Sequence, residues 1–254
     1  VRVADHAVLL TGATSGLGRW LAPRLAAAGL TVLVHGRDPG KVAALVDELG
    51  GAAEGFVADL ASLEEVGRLA AEVAGREDLT VLVNNAGVGF GAREVSVDGY
   101  ELRWAVNLLA PVRLTRALLP TLKANAPSRI VNVGSAGQAP IDFDDVQMER
   151  HYDDVDAYRR AKLALAAWTF DLADELAGTG VTANVLHPAT FMDTQMVRDY
   201  GQTPLSTVEQ GGEATLRLIL EERGTGLFFN GNREARAHPD AYDPAVRAKL
   251  SQLI

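Results

Sequence analysis

Short apolar, β-branched runs alternate with longer alanine- and leucine-rich segments of helical period along the whole chain, and this alternation limits the fold more than any other feature. Ala7–Leu10, Thr31–His35, Ala53–Val57, Leu79–Val83, Arg129–Val133, Val181–Leu186 and Leu227–Phe229 read as strands. Between them Leu17–Ala28, Gly40–Leu49, Leu63–Ala74, Gly99–Asn125, Tyr158–Ala177 and Val208–Glu221 read as helices. Near-continuous apolar strands separated by helices predict an α/β fold: a doubly wound parallel sheet of about seven strands, covered on both faces. No linker-like break, repeat or low-complexity tract interrupts residues 1–254, so one domain is expected, with a core that a chain of 254 residues can readily build.

Composition narrows the function classes. The absence of cysteine excludes disulfides, thiolate catalysis and zinc–cysteine sites, and fits a reducing, cytoplasmic setting. A formal charge of −9 argues against non-specific binding to nucleic acid or anionic membranes. No apolar run reaches the roughly 20 residues that span a bilayer, and the stretch Val1-Arg2-Val3-Ala4-Asp5-His6 lacks a signal-peptide core. None of the histidines has metal-ligand spacing, so no metal is expected.

Two stretches fall outside the alternation. Residues 136–157 are long and acidic, and residues 188–206 carry Phe191, Met192, Met196 and Tyr200. Both follow strands at their carboxyl ends, where open α/β sheets bind ligands, so both are expected to be substrate loops.

Val8-Leu9-Leu10 runs into Thr11-Gly12-Ala13-Thr14-Ser15-Gly16-Leu17-Gly18 and then a helix. Glycines at such a turn let backbone approach a pyrophosphate, and the helix amino terminus offers free N–H groups. The spacing differs from the G-x-G-x-x-G fingerprint, but strand and helix stand where a phosphate cradle needs them. After the second strand the chain reads His35-Gly36-Arg37-Asp38-Pro39. An acidic residue here suits the ribose 2′-hydroxyl of NAD, whereas arginine suits a 2′-phosphate. Asp38 followed by Pro39 is a helix start, which favours NADP(H) with Arg37 on the 2′-phosphate; NAD(H) stays open. Asp59 and Leu60 follow the third strand, where Asp59 is either beside adenine or a helix cap. The fourth strand ends in Asn84-Asn85-Ala86-Gly87, small residues and amides that suit either close approach to a ligand or an ordinary turn.

Tyr158 and Lys162 are four residues apart and so share one face of a helix. A phenol titrates at about 10, and a neighbouring ammonium favours its phenolate, so the pair can pass a proton to a carbonyl or take one from an alcohol.

Taken together, Thr11–Gly18, Asn84–Gly87, Ser135 after Ile130–Gly134, and Tyr158 with Lys162 resemble the short-chain dehydrogenase/reductase family in order and spacing over essentially the whole chain. Ile141–Lys162 and Gly226–Pro244 look like its retinol-dehydrogenase-like and protochlorophyllide-reductase-like branch. The resemblance implies a Rossmann fold and a carbonyl reductase or alcohol dehydrogenase. Tyr158 would be the general acid/base. Lys162 would lower the Tyr158 pKa and hold the nicotinamide ribose, Ser135 would bind the substrate oxygen, and Asn107 would place a water behind Lys162. Gly12, Thr14, Ser15, Gly16, Leu17, Gly18, Arg37, Asp59, Leu60, Asn85, Ala86, Gly87, Pro188 and Thr194 would join Tyr158 and Lys162 at the cofactor.

Two departures stand out. Pro188 is followed by Ala189 where the family has Pro-Gly, and Thr194 lies six rather than five residues past that proline, with Thr190 as a rival. Ser15 stands where NADP-preferring members often carry a basic residue, which leaves Arg37 as the main NADP signal. Phe90, Phe143, Phe191, Met192, Met196 and Tyr200 are candidate walls for a fairly apolar small-molecule substrate. His187 is read as structural. The resemblance also implies a homodimer or homotetramer through Gly99–Asn125 and Tyr158–Ala177, or a monomer if the carboxyl-terminal segment covers that face. Two alternatives on the same fold are a dehydratase or cyclase without net redox, and a non-catalytic NADPH-binding regulator.

Overall fold

The computed structural model describes residues 6–254; residues 1–5 lie outside the described residues. The sheet-forming elements are β1 (Ala7–Leu10), β2 (Thr31–Gly36), β3 (Ala53–Val57), β4 (Leu79–Asn84), β5 (Ser128–Val133), β6 (Val181–His187), β7 (Phe228–Asn230) and β8 (Arg233–Ala235). They form one sheet in the order β3-β2-β1-β4-β5-β6-β7-β8. All neighbours are parallel except β7 and β8, which form an antiparallel hairpin. The eighth strand corrects the expected count of about seven. Arg233–Ala235 is short, charged and largely exposed, and it pairs at a sheet edge through the Gly231 turn, so it leaves no apolar signature.

The helices are α1 (Gly16–Ala27), α2 (Pro39–Leu49), α3 (Leu63–Val73), α4 (Leu102–Trp104), α5 (Ala110–Ala124), α6 (Asp154–Glu175), α7 (Gln195–Asp199), α8 (Val208–Leu220) and α9 (Pro244–Ser251). Alternate residues of each central strand face opposite layers. Ala7, Leu9 and Leu33 pack toward α3, α5 and α6. Val8, Leu10, Val32 and Val34 pack toward α1, α2 and α8.

Two helix boundaries differ from expectation. The single helix expected over Gly99–Asn125 starts at Leu102 and contains a π-helical turn, Ala105–Leu109, centred on Asn107. The helix bearing Tyr158 starts earlier, at Asp154, because the Asp153 carboxylate accepts the Asp156 N–H and caps it. At the other side of the sheet, Asp38 caps α2 by accepting the Lys41 N–H, with Pro39 in the first turn, as the sequence predicts.

Chain reversal at β1–α1 requires glycine. Gly12 and Gly16 have φ of +64° and +48°, the left-handed region that costs other residues. Gly18 has an ordinary φ, but a Cβ there would lie 2.2 Å from the Gly12 carbonyl oxygen. Gly18→Ala is therefore expected to lower stability by about 1–3 kcal/mol, read as an earlier urea midpoint with unchanged slope. An unchanged midpoint would refute the close approach.

Candidate active site

The carboxyl ends of the parallel strands open into a cavity of about 590 Å³. Residues from the turns after β1, β2, β3, β4, β5 and β6 line it, as an open α/β sheet dictates.

At one end lies the glycine turn. The Thr11 hydroxyl donates to the Val83 carbonyl and accepts N–H bonds from Asn85 and Ala86 at 2.9 and 3.0 Å. The Asn85 amide donates back to the Thr11 and Gly12 carbonyls at 2.7 and 3.2 Å. Asn85 thus braces the turn as well as lining the cavity. Thr14, Ser15, Gly16 and Leu17 line it with Ala86 and Gly87, whereas Gly18 is packed behind Gly12 and reaches no cavity surface. Arg37, Asp59 and Leu60 line the far end. Lys41, which no local sequence signal marks, joins Arg37 there, in the first turn of α2. The Asp59 carboxylate accepts the Ala61 N–H, while the cap of α3 is Ser62.

This end fits a dinucleotide. Positive-φ glycines bring backbone against the cavity, and a Cβ on Gly12 would lie 2.9 Å from Ala86 Cα. The helix that follows presents its amino terminus, and two cations stand where β2 ends.

At the other end, α6 carries Tyr158 and Lys162 into the cavity beside Ser135, which follows β5. Ser135 and Lys162 are buried. Lys162 Nζ donates to the Val133 carbonyl at 2.8 Å and lies 5.7 Å from the Tyr158 ring centre. Burial pulls the Lys162 pKa down from 10.5 to about 8. The Tyr158 pKa moves up, because burial opposes the phenolate and outweighs the Ser135 hydroxyl, which pulls it down. Desolvation is the larger of the two influences. Ser135 Oγ also accepts the Gly137 N–H at 3.0 Å.

Asn107 does not reach the cavity. Its amide grips the Val88 backbone in both directions, accepting at 2.9 Å and donating at 3.0 Å. The π-helical turn aims it there, and Gly87 lies between it and Lys162: a Cβ on Gly87 would be 3.0 Å from Asn107 Oδ1 and 3.8 Å from Lys162 Nζ. Behind the site, sequence reasoning missed a buried polar ladder. Asn84 donates to Thr115 and Asn132, and Asn132 donates to Thr169, tying β4 and β5 to α5 and α6.

Residues 188–206 cover the cavity as a loop closed at its neck. The Leu205 N–H donates to the Phe191 carbonyl and the Asp193 N–H to the Ser206 carbonyl, both at 3.0 Å. Pro188, Phe191, Met192, Met196 and Tyr200 all line the cavity. Thr194 lies over Gly16, where an added Cβ would be 3.2 Å from its methyl, whereas the Thr190 hydroxyl bonds His187 at 3.0 Å. His187 lines the cavity at the end of β6, and burial depresses its pKa. Phe90 lies against Tyr200 with ring centres 3.8 Å apart and planes tilted by 31°, and meets Tyr158 at 5.0 Å. The Phe90 wall is held from below: Arg103, buried beside Glu101, donates to the Gly89 and Ala92 carbonyls at 2.9 Å.

The other expected loop, residues 136–157, contributes only Ala136 and Gly137 to the cavity before α6 begins. Phe143 is corrected as a pocket wall: it packs against the core with Lys249 over its ring. Ile141 and Met148 are also buried, so this stretch folds back onto the protein. The carboxyl-terminal segment sits on α6, where Arg247 of α9 pairs with Asp171 and Asp174. Among the described residues no helix is long and apolar enough to cross a membrane.

An ammonium buried against a single carbonyl carries a desolvation penalty that depends on pH. Below pH 8 Lys162 is charged in both folded and unfolded chains, and the folded state bears the full penalty; the penalty fades as pH rises toward 10.5. Lys162→Met is expected to be more stable than the parent near neutrality by about 1–3 kcal/mol. That gap should shrink on the alkaline side when urea unfolding is compared at both pH values, and a pH-independent gap would contradict the assignment.

The geometry can hold a dinucleotide along one wall and offer a phenol and a hydroxyl to an oxygen at its end. The short chain dehydrogenase family model matches residues 6–204. Retinol dehydrogenase 13 of Homo sapiens is 32% identical over an alignment 274 positions long, spanning 98% of this chain and 83% of that protein. The crystal structure of an uncharacterised protein from Mycobacterium paratuberculosis aligns with a TM-score of 0.84 and 31% identity, over 98% of this chain and 91% of that one. The Pseudomonas aeruginosa RhlG/NADP active-site complex aligns with a TM-score of 0.70 and 27% identity, over 89% and 94% of the two chains. With the cavity, the strand order and these likenesses in agreement, the chain belongs to the short-chain dehydrogenase/reductase family, on its retinol-dehydrogenase-like side, and is an NAD(P)-dependent oxidoreductase of alcohols and carbonyls.

Proposed function

We propose that the protein transfers hydride between NADP(H) and a fairly apolar ketone, aldehyde or alcohol, with Tyr158 as general acid and base. The observation that carries this reading is the meeting of Tyr158, Ser135 and Lys162 at one end of a cavity whose other end holds Arg37 and Lys41. A bound nicotinamide supplies or accepts the hydride; the chain's residues position the reactants and move the proton. In reduction the Tyr158 hydroxyl donates its proton to the oxygen that becomes the alcohol, and in oxidation the phenolate takes it back. Ser135 Oγ orients that oxygen. Desolvation of the Tyr158 phenol opposes its phenolate and so favours the form that donates a proton. Lys162 supplies positive charge beside the developing phenolate and a donor for the nicotinamide ribose.

Water exclusion comes from the aromatic pair Phe90 and Tyr200, with Met196 and Phe191, so the substrate's body is apolar where it meets them. The NADP preference rests on Arg37 and Lys41 at the end of β2, with no carboxylate side chain on Gly36 and Asp38 committed to capping α2. The similar RhlG of Pseudomonas aeruginosa forms a complex with NADP, which supports the same preference. The expected homodimer or homotetramer must use a surface partly occupied by α9 on α6; light scattering of the purified protein decides between these and a monomer.

Tyr158→Phe is expected to reduce carbonyl turnover by roughly 10²–10⁴-fold while largely sparing NADPH binding. The assay is NADPH oxidation against a panel of ketones and aldehydes, and undiminished turnover would remove Tyr158 from its role. Stoichiometric loss of NADPH distinguishes net redox from dehydration or cyclisation. Arg37→Ala is expected to lower kcat/KM for NADPH by roughly tenfold or more, with NADH changed little. Equal losses with both cofactors would place Arg37 away from the 2′-phosphate.

A further inference from the structure

His35 is the penultimate residue of β2, buried to 1% exposure directly beneath the glycine turn. A histidine inside a parallel strand is costly unless both ring nitrogens find partners. Both do. The Gly12 N–H donates to His35 Nδ1 at 3.2 Å, and His35 Nε2 faces the Ala58 carbonyl at 3.0 Å. A carbonyl only accepts, so Nε2 carries the proton and Nδ1 is the acceptor: the ring is neutral and its tautomer is set by its neighbours. Burial agrees, holding the His35 pKa at about 4 despite Asp59 nearby.

These two bonds join three separate parts of the cavity wall. Gly12 opens the phosphate turn, and Ala58 directly precedes Asp59 and Leu60 at the far end. The backbone of the same strand reinforces the link: the Ala13 N–H donates to the His35 carbonyl at 2.9 Å, and the Ala58 N–H donates to the Gly36 carbonyl at 3.3 Å. Gly12 also sits at φ +64°, so its N–H belongs to no helix or strand ladder. The imidazole is its partner.

We propose that His35 is a positioning residue for the dinucleotide: its neutral imidazole clamps the Gly12 turn to the β3 end, so that the phosphate cradle and the adenosine end of the cavity are held in one arrangement before the cofactor arrives. A binding site held in place in advance binds more tightly, because ordering costs are not charged to the ligand. His35 also lines the cavity, but both of its ring nitrogens are taken up by Gly12 and Ala58, so it acts through those two residues rather than by a polar contact of its own. The inference rests on the dinucleotide reading of the cavity, not on the choice of substrate.

The test compares the parent protein with His35→Phe, which fills the space without a hydrogen bond, and His35→Gln, which restores one donor and one acceptor. Titration with NADPH and with NADH by nicotinamide fluorescence is expected to show a roughly tenfold weaker Kd for His35→Phe, the loss of about one buried hydrogen bond. His35→Gln should recover most of it. In the cofactor-free protein, amide exchange at Gly12 should accelerate in His35→Phe far more than at Val32 and Val34 in the same strand. Unchanged Kd and Gly12 exchange in His35→Phe would overturn the proposal. So would a uniform loss of protection across the sheet that His35→Gln fails to repair, since that marks a core filler. Should His35→Phe not fold, ¹⁵N shifts of the parent imidazole decide: an Nε2–H tautomer is expected, and an Nδ1–H tautomer overturns it. Failure of the parent to bind either nucleotide would count against the dinucleotide reading, while the Gly12 exchange result would still test the clamp.

Discussion

The contact between the ends of β1 and β4 underlies the rest of the site. Two parallel strands emerge side by side, and the Thr11 hydroxyl with the Asn85 amide locks their exits together through five hydrogen bonds to backbone. Only glycine at positions 12 and 18 lets the following helix close over that junction. The glycine turn then has a fixed relation to Ala86 and Gly87, and the cavity runs from one to the other. Without the lock, the glycine turn and the Ala86–Gly87 wall would sit on independently moving loops.

Burial does opposite things to the groups at the two ends. Arg37 and Lys41 lie at an exposed rim, open to solvent and to an incoming anion. Tyr158 and Lys162 are desolvated, so each is pushed toward its neutral form. A positive charge placed nearby by a bound cofactor would favour the phenolate again. The buried ladder of Asn84, Asn132, Thr115 and Thr169 has no titrating member and serves to keep α5 and α6 in register with the sheet.

Much of this was legible in the residues. Apolar β-branched runs marked the central strands, since a strand buried on both faces has no polar positions to disguise it. Glycine spacing marked the turn, because backbone proximity excludes other residues. Asp38-Pro39 marked a helix start, through local capping chemistry alone. Other features were hidden for physical reasons. β8 is a three-residue edge strand of polar composition, stabilised by pairing rather than burial. Phe143 stands in a loop before the Tyr158 helix but packs on the core, because side-chain direction in an irregular segment depends on what lies beside it. Lys41, Phe90's anchoring by Arg103, and the two-sided grip of Asn107 on Val88 depend on neighbours distant in the chain.

By itself the sequence determined the α/β alternation, the glycine turn after β1, the start of α2 and the placing of Tyr158 and Lys162 on one helix face. These follow from local rules: periodicity, glycine conformational freedom, helix capping and the i, i+4 spacing of Tyr158 and Lys162. Only the tertiary structure decided the direction of the Tyr158 pKa, the partners of His35 and Asn107, and which of two loops covers the cavity. Those depend on desolvation and on hydrogen bonds between residues far apart in sequence, and neither exists until the sheet has brought them together.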